Sequence, residues 1–203
     1  MLTLAWDVDD VLNDLMRTWL EVWWRPQHRG CTLKYKDIKE NPPHQLLGIE
    51  LDEYLQSLDE FRLSGCYEQM QPNPEVLKWF EKDGSAFRHI AVTSVPRVAG
   101  PISSSWVIRH FGDWIRTLHF VPSARRDHVL PEYDTTKADC LKRLNPVDIF
   151  IDDSEHHLMG LTKTGIRYFL VSRPWNTSTL KTQDLLRTLS GLRHGSEVLS
   201  RST

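Results

Sequence analysis

The chain has 203 residues, 40% of them hydrophobic, and can bury one sizeable core and a small accessory lobe without disulfides to hold it together. Its 25 basic and 27 acidic residues leave a formal net charge of −2, which argues against the broad basic surface that a nucleic acid polymer requires. No apolar run approaches the roughly 20 residues of a membrane-spanning helix, and the N-terminus lacks a secretory leader pattern, so we expect a cytoplasmic protein without a membrane partner.

Five short apolar runs are predicted to be the strands of a parallel sheet. The first, residues 2–6, stops abruptly at Asp7, as a buried parallel strand does when a site lies at its carboxyl end. The other runs are residues 89–93, 117–121, 147–151 and 167–171, and helical patterns separate most of them. This alternation predicts an α/β, Rossmann-like core with helices on both faces of the sheet.

The connection between the first two predicted strands contains an insertion, because its more than seventy residues far exceed one crossover helix. Two apolar periodic stretches lie in it, one from Leu12 through Met16, Trp19 and Trp23, and one through Leu51, Leu55 and Leu58. We predict a helical cap of residues 14–75 inserted into a catalytic core of residues 1–13 and 76–192. The polar, aperiodic residues 193–203 are predicted to form a flexible tail.

The helix that leads out of the insertion has clear start and stop signals. Asn73 can cap it, Pro74 suits its first position, and Asp83-Gly84 ends it before the second strand.

The three cysteines, Cys31, Cys66 and Cys140, are odd in number, widely spaced and without a metal-ligand pattern. We therefore expect reduced thiols and no disulfide framework. None of the three lies beside an evident base, which argues against a cysteine nucleophile.

Side chains suited to phosphoryl chemistry follow the predicted strands in turn. They are Asp7 and Asp9 after the first strand, Thr93 and Ser94 after the second, Lys137 at the start of a helix, and Asp152 and Asp153 after the fourth. Because the carboxyl ends of parallel strands meet at one edge of a sheet, we expect these side chains to converge.

Each of these residue types has a chemical role in phosphoryl transfer. Of two aspartates at i and i+2, one can attack phosphorus while the other protonates the leaving group. A phosphate dianion would be repelled by these acids unless a divalent cation intervened, and Asp7, Asp152 and Asp153 offer the hard oxygen ligands that Mg²⁺ prefers. Thr93 and Lys137 can donate to the equatorial oxygens of the transferring group. The sequence therefore predicts a magnesium-dependent phosphatase that uses an aspartate nucleophile.

Response-regulator receiver domains combine similar residues on a similar sheet and are the main rival class. There the acidic pair follows the first strand and the lysine comes last. Here the order is Asp7, Thr93, Lys137 and then Asp152-Asp153, and a cap is inserted, so the receiver interpretation is rejected.

The ordered motifs resemble the haloacid dehalogenase (HAD) superfamily, over about residues 1–13 and 85–175. Its phosphatases carry D-x-D, then Thr or Ser, then Lys, then paired acids after successive strands. The resemblance implies that Asp7 forms an aspartyl-phosphate and that Asp9 is the general acid and base, with its backbone carbonyl on magnesium. It also implies that Thr93 and Lys137 hold the phosphoryl group, with Lys137 steadying the nucleophile.

For the paired acids, the resemblance implies that Asp153 ligates magnesium and that Asp152 ligates or orients it. Beyond Thr93, Ser94 and Arg97 could contact a phosphate or sugar, although a turn-capping serine and a loop arginine without a ligand are the alternatives. Trp175 is interpreted as a structural plug between the sheet edge and the terminal helix rather than as a substrate contact.

Within the superfamily, four stretches resemble the 5'(3')-deoxyribonucleotidase family: DVDDVLNDL, VTS, IDDS and the RPWN that begins at Arg173. This implies a nucleoside monophosphate as substrate. Asp10 departs from the family, which usually has glycine there, and the cap from Asp14 to about Gln71 has no stretch that aligns. Asp10 could select against a second phosphate, but a solvated turn residue is the preferred interpretation.

Two other functions stay open. The same site could act on a sugar phosphate or another small phosphoester, or the chain could be a catalytically inactive binding protein with this fold. All the acidic and basic positions are present, which argues against the inactive alternative. The partner is then a small phosphorylated metabolite, and a homodimer is left open as the oligomeric state.

A group of three tryptophans and a pair of histidines each have a structural interpretation as the alternative to a functional one. Trp19, Trp23 and Trp24 could stack on a base, but apolar helical spacing first indicates core packing. His156 and His157 could bind a transition metal, but consecutive residues point in different directions, so surface or helix-start histidines are preferred.

Overall fold

In the computed structural model of the protein, the described residues are 1–123, 125, 133–144, 146–162 and 164–193. The predicted tail, apart from Arg193, lies outside them. Within the described residues, no helix has the length and apolar character needed to cross a membrane. Cys31, Cys66 and Cys140 are all free, as expected.

The predicted parallel sheet is confirmed, with the strand order β3-β2-β1-β4-β5. The strands are β1 (Thr3–Trp6), β2 (Arg88–Ser94), β3 (Ile115–Val121), β4 (Ile149–Asp152) and β5 (Arg167–Leu170). The central strand β1 is buried throughout, and its ladder continues one residue further, because the Asp7 amide donates to the Ile151 carbonyl at 2.9 Å.

Helices cover the sheet and fill the insertion. They are α1 (Leu15–Thr18), α2 (Arg25–Gln27), α3 (His44–Leu47), α4 (Leu51–Arg62), α5 (Gly65–Glu68), α6 (Pro74–Asp83), α7 (Gly100–Phe111), α8 (Lys137–Arg143), α9 (Glu155–Leu158) and α10 (Thr182–Leu192).

Alternate residues of the central strands enter two separate cores, one on each face of the sheet. Leu4 and Trp6 join the larger core, with side chains of α6, α7 and α10, whereas Ala5 joins the smaller one, with side chains of α8 and α9. The predicted placement of helices on both faces is therefore confirmed.

The insertion is attached to the core by a narrow neck. Asn13 and Pro72 form an isolated antiparallel bridge, and the Asn73 amide donates to the Leu12 carbonyl at 2.8 Å. The chain thus leaves and re-enters the core at adjacent points. The division of the chain into a cap of residues 14–75 and a two-part core stays a prediction.

The first predicted helix of the insertion is present, but its middle part is π-helical rather than α-helical. α1 continues without a break into a π-helical segment, Trp19–Trp24, and then into α2. A π segment brings residues i and i+5 together, so Trp19 packs on Trp24, with ring centroids 5.4 Å apart. Core packing is confirmed for these two buried side chains, whereas Trp23 is half-buried against Phe61.

The second predicted stretch is α4, but its buried face differs from the one expected. Leu58 is buried, whereas Leu51 is 40% exposed. Tyr54, Phe61 and Arg62 complete the buried face. A charged residue therefore lies on the inward side of this helix.

α6 begins and ends where its sequence signals indicate. The Asn73 side chain accepts hydrogen bonds from the amides of Glu75 and Val76, Pro74 is the first helical residue, and the helix ends at Asp83.

Candidate active site

Asp7 lies at the tip of β1 and is paired with a buried lysine. The Lys137 ammonium lies 2.7 Å from Asp7 Oδ1 and donates to Asp152 Oδ2 at 2.8 Å. Lys137 is only 1% exposed, because it opens α8 directly beneath the strand tips. β1 and β4 are neighbours in the sheet, which explains why acids at both ends share one cation.

The two acids after β4 have different surroundings. Asp152 Oδ1 accepts from the Ser154 amide at 2.7 Å, and His157 Nδ1 lies 3.1 Å from both of its oxygens. Asp153 Oδ2 instead accepts from the Trp175 indole at 2.8 Å. Asp152 therefore has polar partners on both carboxylate oxygens, Lys137 among them. The side chain of Asp153 is oriented by a single hydrogen bond, from Trp175.

Three carboxylates could hold a metal ion together. Oxygen atoms of Asp7, Asp152 and Asp153 lie within 4.8 Å of one another, and all three residues are buried. Hard oxygen ligands at close quarters suit Mg²⁺ better than a transition metal. Among the described residues, His156 and His157 do not belong to this cluster.

Burial and mutual repulsion perturb these acids strongly. Burial raises the pKa of Asp7 to about 6, although the Lys137 ammonium opposes the shift. Burial, together with the charges of Asp152, Asp10 and Asp7, raises the pKa of Asp153 well above its usual range. Burial would also raise the pKa of Asp152, but Lys137 and His157 outweigh it and lower that pKa to about 2. A divalent cation would relieve the repulsion, so the residues present fit such an ion.

Asp9 points to the insertion rather than to Lys137. Its Oδ2 accepts from the Arg62 guanidinium at 2.8 Å, and its Oδ1 accepts from Asn13 Nδ2 at 3.2 Å and from the Tyr67 hydroxyl at 3.4 Å. Arg62 ends α4 and Tyr67 belongs to α5. Two of the three donors therefore come from the insertion.

The interpretation of Asp10 as a solvated turn residue is wrong. Asp10 is a turn residue with φ of 60°, in the left-handed region that favours glycine, but it is only 3% exposed. Its carboxyl group accepts from the Met16 amide, so it caps the first turn of α1. Burial raises the pKa of Asp10 to about 8, against the opposing charge of Arg173.

Thr93 and Ser94 end β2, which flanks β1 on the side opposite to β4. Thr93 is 1% exposed, and the Ser94 hydroxyl donates to the Pro122 carbonyl at 3.3 Å. Both line the cavity described below, whereas Arg97 is exposed in a 3₁₀ turn and does not. Arg97 therefore matches its interpretation as a loop arginine.

A cavity of about 480 Å³ lies between the strand tips and the insertion. Its core side includes Asp7, Asp9, Thr93, Ser94, Lys137 and Asp153, and its insertion side includes Leu15, Met16, Tyr54, Leu55, Leu58 and Arg62. Polar groups suited to a phosphate thus lie opposite an apolar wall, an arrangement typical of small-molecule sites.

The sequence interpretation missed several polar contacts of this site. Arg62 follows Leu58 by four residues, so a charged residue on an apolar stripe was the available signal for a buried ion pair. His157 lies near the start of α9, in agreement with the helix-start interpretation, but its contact with Asp152, which brings it to the cavity, was not foreseen. Trp175 is partly buried against the larger core, and its hydrogen bond to Asp153 was not foreseen.

Comparison with known proteins extends only to structure. No protein-family model and no curated protein matches the sequence. Among solved structures, the chain is similar to protein tyrosine kinase A from Mycobacterium tuberculosis (16% identity, 93% of this chain and 97% of that chain, TM-score 0.62). It is also similar to a provisionally named phosphoglycolate phosphatase from Lactobacillus delbrueckii subsp. bulgaricus (14% identity, 96% and 98% covered, TM-score 0.60).

A third similar structure is YfnB from Bacillus subtilis, provisionally named a HAD-hydrolase and bound to magnesium (14% identity, 95% and 98% covered, TM-score 0.51). At these identities the likeness shows a shared fold, the one predicted from the HAD resemblance. The differing names of these structures show that this fold alone does not define an activity.

Proposed function

We propose that this chain is a magnesium-dependent phosphomonoesterase that works through an aspartyl-phosphate on Asp7. The observation that carries the proposal is the position of Asp7: a buried carboxylate 2.7 Å from the Lys137 ammonium, facing a cavity that also contains Asp9 and Thr93. Carboxylates suited to nucleophilic attack and to proton transfer, and donors suited to a phosphoryl group, therefore line one cavity.

The reaction proceeds in two balanced steps. In the first, an Asp7 carboxylate oxygen attacks phosphorus, the ester P–O bond breaks, and the leaving oxygen takes a proton from Asp9. In the second, Asp9 takes a proton from water as the water oxygen attacks phosphorus. The bond between phosphorus and Asp7 then breaks, which releases inorganic phosphate and restores both carboxyl groups.

Lys137 and Thr93 provide the donors for the transferring group. The Lys137 ammonium also orients Asp7, since it already contacts Oδ1. Asp152, with partners on both oxygens, is better suited to orienting Lys137 than to direct metal ligation. Ser94 would assist at the edge of the phosphate site.

Magnesium would be held by Asp7, Asp153 and the backbone carbonyl of Asp9. When bound, it would neutralise the phosphate and the crowded acids, which allows an anionic substrate to enter. The raised pKa of Asp153 supports this role, because a buried acid among other acids needs a compensating cation. The magnesium in the similar structure from Bacillus subtilis is consistent with it.

The proposed substrate is a nucleoside monophosphate, as in 5'(3')-deoxyribonucleotidases. The apolar wall of Leu15, Met16, Leu55 and Leu58 supports this choice, since a base has apolar faces that such a wall can cover. A small phosphoester such as a sugar phosphate is the second candidate, supported by the similar structure named a phosphoglycolate phosphatase.

The test is phosphate release from a panel of 5' and 3' nucleotides, deoxynucleotides and sugar phosphates, with Mg²⁺ and with EDTA. We expect magnesium-dependent release with the highest kcat/KM for nucleoside monophosphates. Release from sugar phosphates alone would select the second candidate. Absence of turnover with every ester, in protein shown to be folded, would contradict the proposal and favour an inactive binding protein.

A further inference from the structure

Arg62 is an unusual residue to find buried in an insertion. It is 6% exposed, and its Nε has no hydrogen-bond partner among the described residues. A buried donor without a partner costs roughly 1–3 kcal/mol, and a buried charge costs more when its partner is lost. An arginine placed for stability alone would be a poor choice here, so a role in the site is the better explanation.

Arg62 has two carboxylate partners: Asp9, and, at a longer distance, Asp59 of its own helix, whose Oδ1 lies 3.4 Å from Arg62 NH1. Arg62 NH2 holds Asp9 Oδ2 at 2.8 Å, while Tyr67 and Asn13 donate to Asp9 Oδ1. Donors on both oxygens leave the carboxylate little freedom to rotate. Because Arg62 and Tyr67 belong to the insertion, the insertion supplies two of the three donors that orient Asp9.

A second ion pair fixes the helix that carries Arg62. Asp59, three residues earlier on α4, binds Arg125 in a bidentate manner, with Nε–Oδ2 at 2.6 Å and NH2–Oδ1 at 2.8 Å. Arg125 follows β3 and belongs to the core side of the cavity, with its NH1 on Ser123. The end of α4 is thus tied to the core at two points that both line the cavity.

We propose that Arg62 is a positioning residue supplied by the insertion, which aims Asp9 at the leaving oxygen. The proposal rests on the proposed function, since it gives Asp9 the proton-transfer role. It assigns to the insertion a part in the chemical step, in addition to any part in substrate choice. The Asp59–Arg125 pair would keep α4 where Arg62 can reach Asp9.

The experiment compares two esters of similar size, 4-nitrophenyl phosphate and phenyl phosphate. Phenol is the worse leaving group, so its ester depends more on proton transfer from Asp9. We expect Arg62→Gln to lower kcat on phenyl phosphate by roughly 10²-fold and kcat on 4-nitrophenyl phosphate by less than about 10-fold. Asp9→Asn should give the same pattern, and the double variant should be no slower than Asp9→Asn, because both changes remove one function.

Arg109→Gln is the matched control. Arg109 of α7 also binds the insertion, through the Glu68 carboxylate at 3.1 Å, but this ion pair is exposed and lies outside the cavity. We expect it to change kcat on both esters by the same small factor. Arg62→Lys is the milder change because it keeps the charge, and it should retain more of the activity on phenyl phosphate than Arg62→Gln. It replaces Arg62→Gln in the comparison if that variant does not fold.

The possible failures are separable. Equal loss of kcat on both esters in the Arg62 variants, with Asp9→Asn selective for phenyl phosphate, would leave the phosphatase intact and reduce Arg62 to a structural contact. If Asp9→Asn lowered kcat equally on the two esters, Asp9 would not be the proton-transfer group, and the positioning role of Arg62 would be overturned. If the wild-type protein hydrolysed neither ester, the proposed function itself would fail, and this inference with it.

Discussion

The two sides of the cavity are built on different principles. The floor, formed by Asp7, Lys137, Asp152 and Asp153, lies at strand tips and the start of α8, where hydrogen-bonded backbone sets each position. The roof is formed by α1 and α4, where side-chain packing and two ion pairs hold helices that no sheet supports. The floor is charged and buried, whereas the roof is largely apolar around one arginine.

This difference indicates that the floor and the roof have different functions. A floor of fixed carboxylates and one lysine determines which bond can be broken, because it is preorganised for charge. A roof of apolar side chains determines which leaving group fits and when the site is covered. Changes in the floor should therefore remove the reaction, and changes in the roof should redirect or slow it.

The largest effect is expected for Asp7→Asn in the floor. An amide cannot attack phosphorus, so phosphate release should fall by at least about 10³-fold, and no acid-stable, hydroxylamine-sensitive phosphoprotein should form. Phosphate release measured under saturating Mg²⁺ tests this.

The control for Asp7→Asn is Asp10→Asn in the same loop. Burial raises the pKa of Asp10 to about 8, so at neutral pH its carboxyl group is largely protonated and an amide resembles it closely. We expect Asp10→Asn to retain most of the activity. If Asp7→Asn instead retained its activity, Asp7 would not be the nucleophile.

The second effect concerns the sheet that supports the floor. His89 of β2 accepts from the Trp6 indole at 3.0 Å, and its other ring nitrogen lies 2.8 Å from the Gly84 carbonyl. Burial lowers the pKa of His89 to about 4, although the Gly84 contact opposes the shift. The unfolded chain, with a histidine pKa of about 6.5, then binds the proton more tightly than the folded one.

The stability that neutral His89 contributes is therefore complete above pH 6.5 and is lost as the pH falls from 6.5 to 4. We expect a loss of roughly 3 kcal/mol in the free energy of unfolding across this window. Urea unfolding of the wild type and of His89→Gln at several pH values measures it. Equal slopes against pH in the two proteins would contradict the assignment to His89.

The third effect is metal-dependent stability of the floor. If Mg²⁺ relieves the repulsion around Asp153, saturating magnesium should raise the free energy of unfolding by up to about 3 kcal/mol at one hundred times its Kd. Asp153→Asn should lose most of this response while starting from a higher melting temperature without metal, because its amide carries no charge to repel. A melting temperature indifferent to Mg²⁺ in the wild type would argue against the metal site.

The same division explains what the sequence could and could not predict. The acids of the floor come at the ends of apolar runs, so local pattern and the rule that parallel strand tips converge were enough to place Asp7 beside Asp152 and Asp153. The helices of the insertion were also predictable from their spacing. The inward face of α4 was not, because it depends on how α4 packs against a π-helical segment that periodicity does not reveal.

Asp10 and Arg62 illustrate the limit. Both have ionisable side chains that general rules place at the surface, and both are buried against a specific partner: the Met16 amide for Asp10 and the Asp9 carboxylate for Arg62. Such pairings join residues far apart in the chain or across a turn. They require the tertiary structure and do not follow from composition or period.

The smallest effect is expected in the roof and separates substrate choice from chemistry. Leu55 is half-buried and lines the cavity, so Leu55→Ala removes an apolar contact worth roughly 1 kcal/mol for a leaving group that reaches it. We expect kcat/KM for a nucleoside monophosphate to fall about 5- to 10-fold, while kcat/KM for methyl phosphate, too small to reach the roof, stays unchanged. Leu51→Ala, one turn earlier on the same helix and exposed outside the cavity, should alter neither value. Equal losses on both esters for Leu55→Ala would mean that α4 had shifted and disturbed Arg62, which would merge the two regions into one catalytic unit.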